Sequence, residues 1–228
     1  MTLRRLAHTS LIATALVVGA ASMPMPAAAA SVSAPAVMPS SVHSVAPSER
    51  GNDALVGLAA SGIDAWSAYR MSGDGPALQR YRLVRDTLAR AAARRLGVTP
   101  ARMVSAWRHA DVAHQLVILT AFTQLGTPYH AYQRRPGQGF DCSGFTSWVW
   151  GRTGIALNRS SSSQIRAAAS RTPDTAQPGD LVYYPGHVML YLGVDRTIIH
   201  SPQTGRSVSL DVVSSHHTRS VRFGNPLG

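Results

Sequence analysis

Gly139-Phe140-Asp141-Cys142-Ser143-Gly144-Phe145 decides how the chain is read, because it holds the single cysteine among 228 residues. A turn-rich loop precedes it (Pro136, Gly137, Gly139), and an apolar run at helical spacing follows (Phe145, Trp148, Val149, Trp150). Asp141 is a good N-cap residue, so the pattern predicts a helix opening at Cys142. A thiol in that place meets free backbone N–H groups and the positive end of the helix dipole, and both favour its anion. With a charged imidazole alongside, such thiols titrate at roughly 3.5–7.5 instead of about 8.5. The charge on Asp141 works against this, so a nearby histidine has to contribute. The competing reading is an inert core cysteine, since free cysteine is among the most buried side chains.

Outward from that stretch, compartment separates the two readings. Residues 1–30 read as a signal peptide: Arg4 and Arg5 supply the charged start, 11–21 the short apolar run, and Ala28-Ala29-Ala30 the small-residue cleavage site. The run falls short of the ~20 residues of a membrane span. The expectation is a secreted or cell-wall protein with no stable membrane insertion. One unpaired cysteine in an exported chain calls for a chemical explanation. Residues 31–50, rich in Ala, Ser and Pro, are predicted to be a disordered linker.

Residues 51–109 are helical in pattern. Asn52 or Asp53 can cap a first helix bearing Leu55, Leu58, Ile63 and Trp66, weakened by Gly57 and Gly62. A breaker at 72–76 separates it from a second helix over 77–96, ended by Gly97. Thr99-Pro100 opens a third. This segment reads as a packing layer dispensable for chemistry, or alternatively as a wall-binding unit. Residues 110–228 form the second part. A helix is expected over 111–125 and a short one over 160–170. From Asp180 the period changes to two, which predicts strands over 181–184, 188–192, 197–201, 208–212 and 220–223. Helices followed by an antiparallel sheet make an α+β domain.

Two histidines fall on adjacent strands of this sheet. His187 starts a strand directly after Pro185-Gly186, at a sheet rim. His200 lies beyond the hairpin turn at 193–196. Pairing about that turn sets Thr197 opposite Leu192 or nearby, and brings His200 within a register step or two of His187. His200 can then fix the tautomer of His187.

In order along the chain, Gly126-Thr127-Pro128-Tyr129, Phe140-Asp141-Cys142-Ser143-Gly144-Phe145, Arg159-Ser160-Ser161-Ser162-Ser163-Gln164, Pro178-Gly179-Asp180-Leu181, His187-Val188 with Tyr191-Leu192-Gly193, and Ile199-His200 resemble the NlpC family of bacterial cell-wall cysteine peptidases. The resemblance covers about the last half of the chain. It implies a papain-like NlpC-type domain, a cysteine-bearing helix packed on a small antiparallel sheet, here preceded by a small helical segment. It implies Cys142 as nucleophile, His187 as base and acid, and His200 as orienter. The oxyanion site would use the Cys142 backbone N–H, with Tyr129 as side-chain donor. The alternative for Tyr129 is a core or stacking role. In relatives the positions of Asp141 and Ser143 contact the substrate's free amine, although Asp141 is equally a helix cap. Arg159 either binds a stem-peptide carboxylate or clamps its loop, and Gln164 is structural. The implied activity is secreted endopeptidase action on peptidoglycan stem peptides, usually at the bond joining D-glutamate to a diamino acid, with no cofactor. An amidase or transacylase with the same site is the alternative enzyme. A catalytically silent wall-binding protein is the alternative outside enzymes.

Three features depart from the family pattern. His130-Ala131-Tyr132-Gln133-Arg134-Arg135 stands where many relatives have an aromatic residue and two glycines, Met189 where glycine is usual, and Asn158 where proline is common. The first two alter the cleft wall, so subsite preferences do not carry over.

Composition narrows the field further. Formal net charge is +11, and removing Arg4 and Arg5 with residues 1–30 leaves +9. This suggests anionic wall polymers as partners, or simply a solvated basic surface. Nucleic acid is excluded by export and by the lack of a recognition motif. All 22 basic residues are arginine, which rules out Schiff-base and phosphate-loop lysines. Glu49, the lone glutamate, argues against a glutamate-based glycosidase. A zinc site built from His187, His200 and His216 is conceivable, but no metal-ligand spacing appears and no metal is expected. His109, His114 and His130 lie near helix ends and read as minor.

Overall fold

The computed structural model describes residues 53–217 and 220–228. The signal-peptide and linker expectations for 1–30 and 31–50 lie outside the described residues. Four helices come first: α1 (Ala54–Ser72), α2 (Gly75–Leu96), α3 (Pro100–His109) and α4 (Val112–Phe122). A two-stranded ribbon, β1 (Arg134–Arg135) with β2 (Gly139–Phe140), leads into α5 (Cys142–Gly151) and α6 (Ser161–Ala167). Then come β3 (Ala169–Arg171), β4 (Leu181–Tyr184), β5 (His187–Tyr191), β6 (Thr197–His200), β7 (Ser209–Val212), a 3-10 turn at Ser215–His217, and β8 (Arg222–Asn225). The last six strands form one antiparallel sheet in the order β3-β8-β4-β5-β6-β7.

The helical segment shares its core with the sheet. Leu55, Leu88, Trp107 and Phe122 belong to one buried cluster with Phe145, Trp150, Leu181, Leu190 and Ile199. Trp107 also donates its indole N–H to the Leu192 carbonyl at 2.9 Å. Gly62, read from sequence as a weakness in α1, has a packing reason. A Cβ there would lie 2.3 Å from Leu119 Cδ2, so α1 approaches α4 more closely than any larger residue permits. A smaller cluster of Val182, Met189, Tyr191, Ile198 and Val213 covers the other face of the sheet.

Among the elements that differ from the sequence-based expectation, three show why. The helix expected over 111–125 stops at Phe122, because the chain turns to pair Gly126 N–H with the Val208 carbonyl at 2.9 Å. The helix expected over 160–170 ends at Ala167, and 169–171 become the edge strand β3 on β8. The last strand spans 222–225, not 220–223. In each case the deciding partner is remote in sequence, where local periodicity carries no signal.

Alternation along β5 sorts its side chains. Val188 and Leu190 enter the main core with α5, whereas Met189 and Tyr191 join the smaller cluster, and His187 shares their side. The N-terminus of α5 therefore reaches the rim of the sheet where β5 begins.

Candidate active site

The residues singled out from sequence converge on that rim. Asp141 caps α5 as expected. Its Oδ1 accepts from Gly144 N–H at 2.6 Å and from Ser143 Oγ at 3.2 Å. Arg159 forks onto the same carboxylate, with Nη1 3.1 Å from Oδ1 and Nη2 on Oδ2, and Nη1 also donates to Ser143 Oγ at 2.8 Å. Of the two readings for Arg159, this geometry matches the clamp, since the planar fork is already spent on Asp141. Gln164 locks the back of the helix: it accepts from Thr146 Oγ1 at 2.6 Å and donates to the Ser143 and Asn158 carbonyls, both at 2.9 Å. Gly144 is required, because a Cβ would fall 2.1 Å from the Gln133 carbonyl oxygen. That carbonyl accepts from Asp141 N–H at 3.1 Å and pins the 130–135 loop to the start of the helix.

Cys142 is a free, half-buried thiol. Burial pushes its pKa up and the Asp141 charge adds to this, while backbone N–H groups of Val188, Ser143 and Cys142 itself favour the anion. The Val188 amide on the sulfur puts the thiol beside the first residues of β5. His187 and His200 are buried, each 8% exposed, and His187 Nε2 lies 2.9 Å from His200 Nδ1. The β5–β6 register pairs Leu190 with Ile199 and Tyr191 with Ile198, and Leu192 N–H bonds the Thr197 carbonyl, as the sequence expectation had it. Burial, with His200 and His217 nearby, pushes the His187 pKa down to about 3. Burial pushes His200 down to about 4, opposed by Asp211 and reinforced by Arg206.

These directions run opposite to the expected low-titrating thiolate, because burial opposes the charged form of each group. In so buried a site neither group ionises alone near neutral pH.

Tyr129 is partly buried, held by its N–H to the Arg206 carbonyl at 2.8 Å. Burial raises its phenol pKa, as do the charges of Cys142 and Asp141. Two residues not singled out from sequence complete the wall. Tyr184 pairs with His187 across the β4–β5 turn, with ring centroids 5.4 Å apart. His217 stacks on Tyr184 at 4.2 Å and 5°. The expected strand over 181–184 ends at Tyr184, just before Pro185-Gly186, but no local signal brings residue 217 back to that site. Among the described residues no group of three or more His, Cys, Asp and Glu is disposed to hold a metal ion.

Residues 126–224 match the NlpC/P60 family model. Residues 126–224 thus carry the NlpC/P60 family pattern, and the rest of the chain lies outside the match. It is 37% identical over 94 residues to the gamma-D-glutamyl-L-lysine dipeptidyl-peptidase of Bacillus cereus, a stretch covering 38% of this chain and 28% of that protein. It is 31% identical over 104 residues to the gamma-DL-glutamyl hydrolase of Bacillus subtilis, covering 42% of this chain and 25% of that one. The alignments therefore span only about a quarter of either relative. Among solved structures, the NlpC/p60 domain of the peptidoglycan hydrolase SagA is 35% identical, with 44% of this chain and 89% of that domain covered and a TM-score of 0.41.

Proposed function

We propose that this chain is a cysteine peptidase that hydrolyses amide bonds in peptidoglycan stem peptides, at a D-glutamyl–diamino acid linkage. One observation carries the reading: the α5 thiol, the Val188 amide on its sulfur and the 2.9 Å His187–His200 contact share one rim of the sheet. Its Bacillus relatives, named for γ-glutamyl bonds, support the choice of linkage.

His187 Nε2 is engaged by His200, so Nδ1 is the nitrogen free to take the thiol proton as sulfur attacks the carbonyl. The protonated imidazole then returns that proton to the leaving amine, and water releases the acyl group in a second round. The Cys142 N–H and the Tyr129 hydroxyl serve as donors to the developing oxyanion. Asp141 and Ser143, ordered by Arg159, take the free ammonium of the stem peptide. Export by residues 1–30 delivers the protein to the wall, where a net charge of +9 favours anionic polymers as further partners. No described helix is long and apolar enough to cross a membrane.

Incubation with purified peptidoglycan, followed by mass spectrometry of released fragments, tests the reading against Cys142→Ala. Stem peptides cut between D-glutamate and the diamino acid support it. Glycan strands freed from intact peptides would make the enzyme an amidase. Co-sedimentation without any release would replace peptidase with wall binder.

A further inference from the structure

We propose that Asp211 is a positioning residue for the reaction, acting through His200 to set the tautomers of both imidazoles. The proposal rests on the cysteine-peptidase reading above. Its starting point is an orphaned atom: His200 Nε2 is buried and has no hydrogen-bond partner. The nearest charged oxygen is Asp211 Oδ2, 3.8 Å away.

Sheet register explains why that carboxylate is there. His200 pairs with Ser209, and Asp211 lies two residues further along β7, so Asp211 projects from the same face as a diagonal neighbour of His200. Extending the β5–β6 register by one residue sets His200 opposite Met189, two residues from His187 and also on that face. His187, His200 and Asp211 thus form one diagonal across β5, β6 and β7.

The diagonal has a direction. If His200 carried its proton on Nδ1, its bare Nε2 lone pair would face a carboxylate, and His187 would be left with its proton on Nδ1, unable to accept one from sulfur. With the proton on Nε2, His200 points an N–H towards Asp211 and offers Nδ1 as acceptor. His187 then donates from Nε2 and keeps Nδ1 open for the thiol proton. Asp211 favours the second arrangement electrostatically, and it offsets the imidazolium formed when Cys142 attacks. The proton travels only from Sγ to His187 Nδ1. No proton passes to Asp211. The other groups facing this pair are Arg206 near His200, and His217 with Tyr184 near His187. Arg206 opposes the imidazolium, and Asp211 is the carboxylate placed to favour it.

The side chain of Asp211 is 54% exposed, so replacing it should not unfold the protein. At 3.8 Å and partly solvated, it should matter less than a fully buried triad carboxylate, whose amide replacement costs ~10⁴ in kcat. Asp211→Asn in the full chain is expected to lower kcat on a short stem peptide roughly 10–100-fold with KM unchanged. Asp211→Ala should be milder, because asparagine can present an N–H to His200 and favour the wrong tautomer. Asp211→Glu should restore most of the rate. That order, Asp, Glu, Ala, Asn, is not what a merely structural residue would give. A second measurement needs no substrate: ¹⁵N spectra of the histidine rings should show His187 protonated on Nε2 in the parent and shifted towards Nδ1 in Asp211→Asn. The proposal is overturned if kcat of Asp211→Asn stays within twofold of the parent, or if the tautomers are the same in both proteins. A parent that cleaves no peptide, yet shows the tautomer shift, would sink the peptidase reading and leave the positioning role intact.

Discussion

Two buried histidine sites in this molecule have opposite chemistry, although burial is similar. His114, fully buried at the start of α4, places Nδ1 2.7 Å from Asp111 Oδ2 and Nε2 2.9 Å from Asp180 Oδ1. Two carboxylates on one ring require a proton on each nitrogen, and their pull outweighs desolvation, so the pKa is raised. His187 meets another imidazole and the Tyr184 ring instead, and burial pushes its pKa down to about 3. The first site is a clamp: it ties α4 to the turn before β4, and its ring packs edge-on against Trp150 of α5 at 5.2 Å. The second keeps a nitrogen open. The partners, and not the depth of burial, separate a structural histidine from one fit for catalysis.

The sharpest way to break this contrast is by deletion at each site. Cys142→Ala and His187→Ala are expected to lower turnover of a stem peptide by about 10³-fold or more, with the urea midpoint almost unmoved. His114→Ala should do the reverse. Removing one member of a buried ion pair costs about 3–5 kcal/mol, read from urea unfolding, while kcat of the protein that remains folded is unchanged. A His114→Ala protein that is stable but inactive would erase the distinction.

A tenfold effect is expected in thiol reactivity. Iodoacetamide should alkylate Cys142 at pH 7 at least about tenfold more slowly in His187→Ala, because a buried thiol left alone titrates above the ordinary range of about 8.5. His200→Ala should fall between, since it orients the base without exchanging the proton. Equal rates in all three proteins would separate the thiol from the imidazole.

Smallest, and the finest test, is the pH dependence of stability. His114 has a folded pKa above its unfolded value of about 6.5, so its contribution is complete below that value and fades as pH rises through the folded one. His187 and His200 have folded values of about 3 and about 4, so they bind fewer protons folded than unfolded, and they weaken the protein as pH falls from about 6.5 towards those values. Unfolding free energy should peak near pH 6–7 in the parent. His114→Gln should flatten the alkaline limb and leave the acidic limb in place. A flattened acidic limb instead would mean that the two sites have been assigned the wrong way round.

Much of the site was legible locally. Asp141 before an apolar helical run, a strand opening at His187, and a turn at 193–196 are short-range signals, and cap, strand start and register all appear where those signals point. The role of His114 was not legible, because its second partner, Asp180, is 66 residues away and reaches it only once α4 packs on the sheet. His217 and Asp211 were missed for the same reason, as was the edge strand β3, which has a partner in β8 but no alternation of its own.

By itself, then, the order of residues determined which elements the candidate groups stand on, since capping, period and turn geometry are properties of a few consecutive residues. Only the tertiary structure decided how those groups are charged. Burial and the partners brought in from distant strands set those charges: burial opposes the charged forms of Cys142 and His187, whereas His114 has carboxylates on both ring nitrogens.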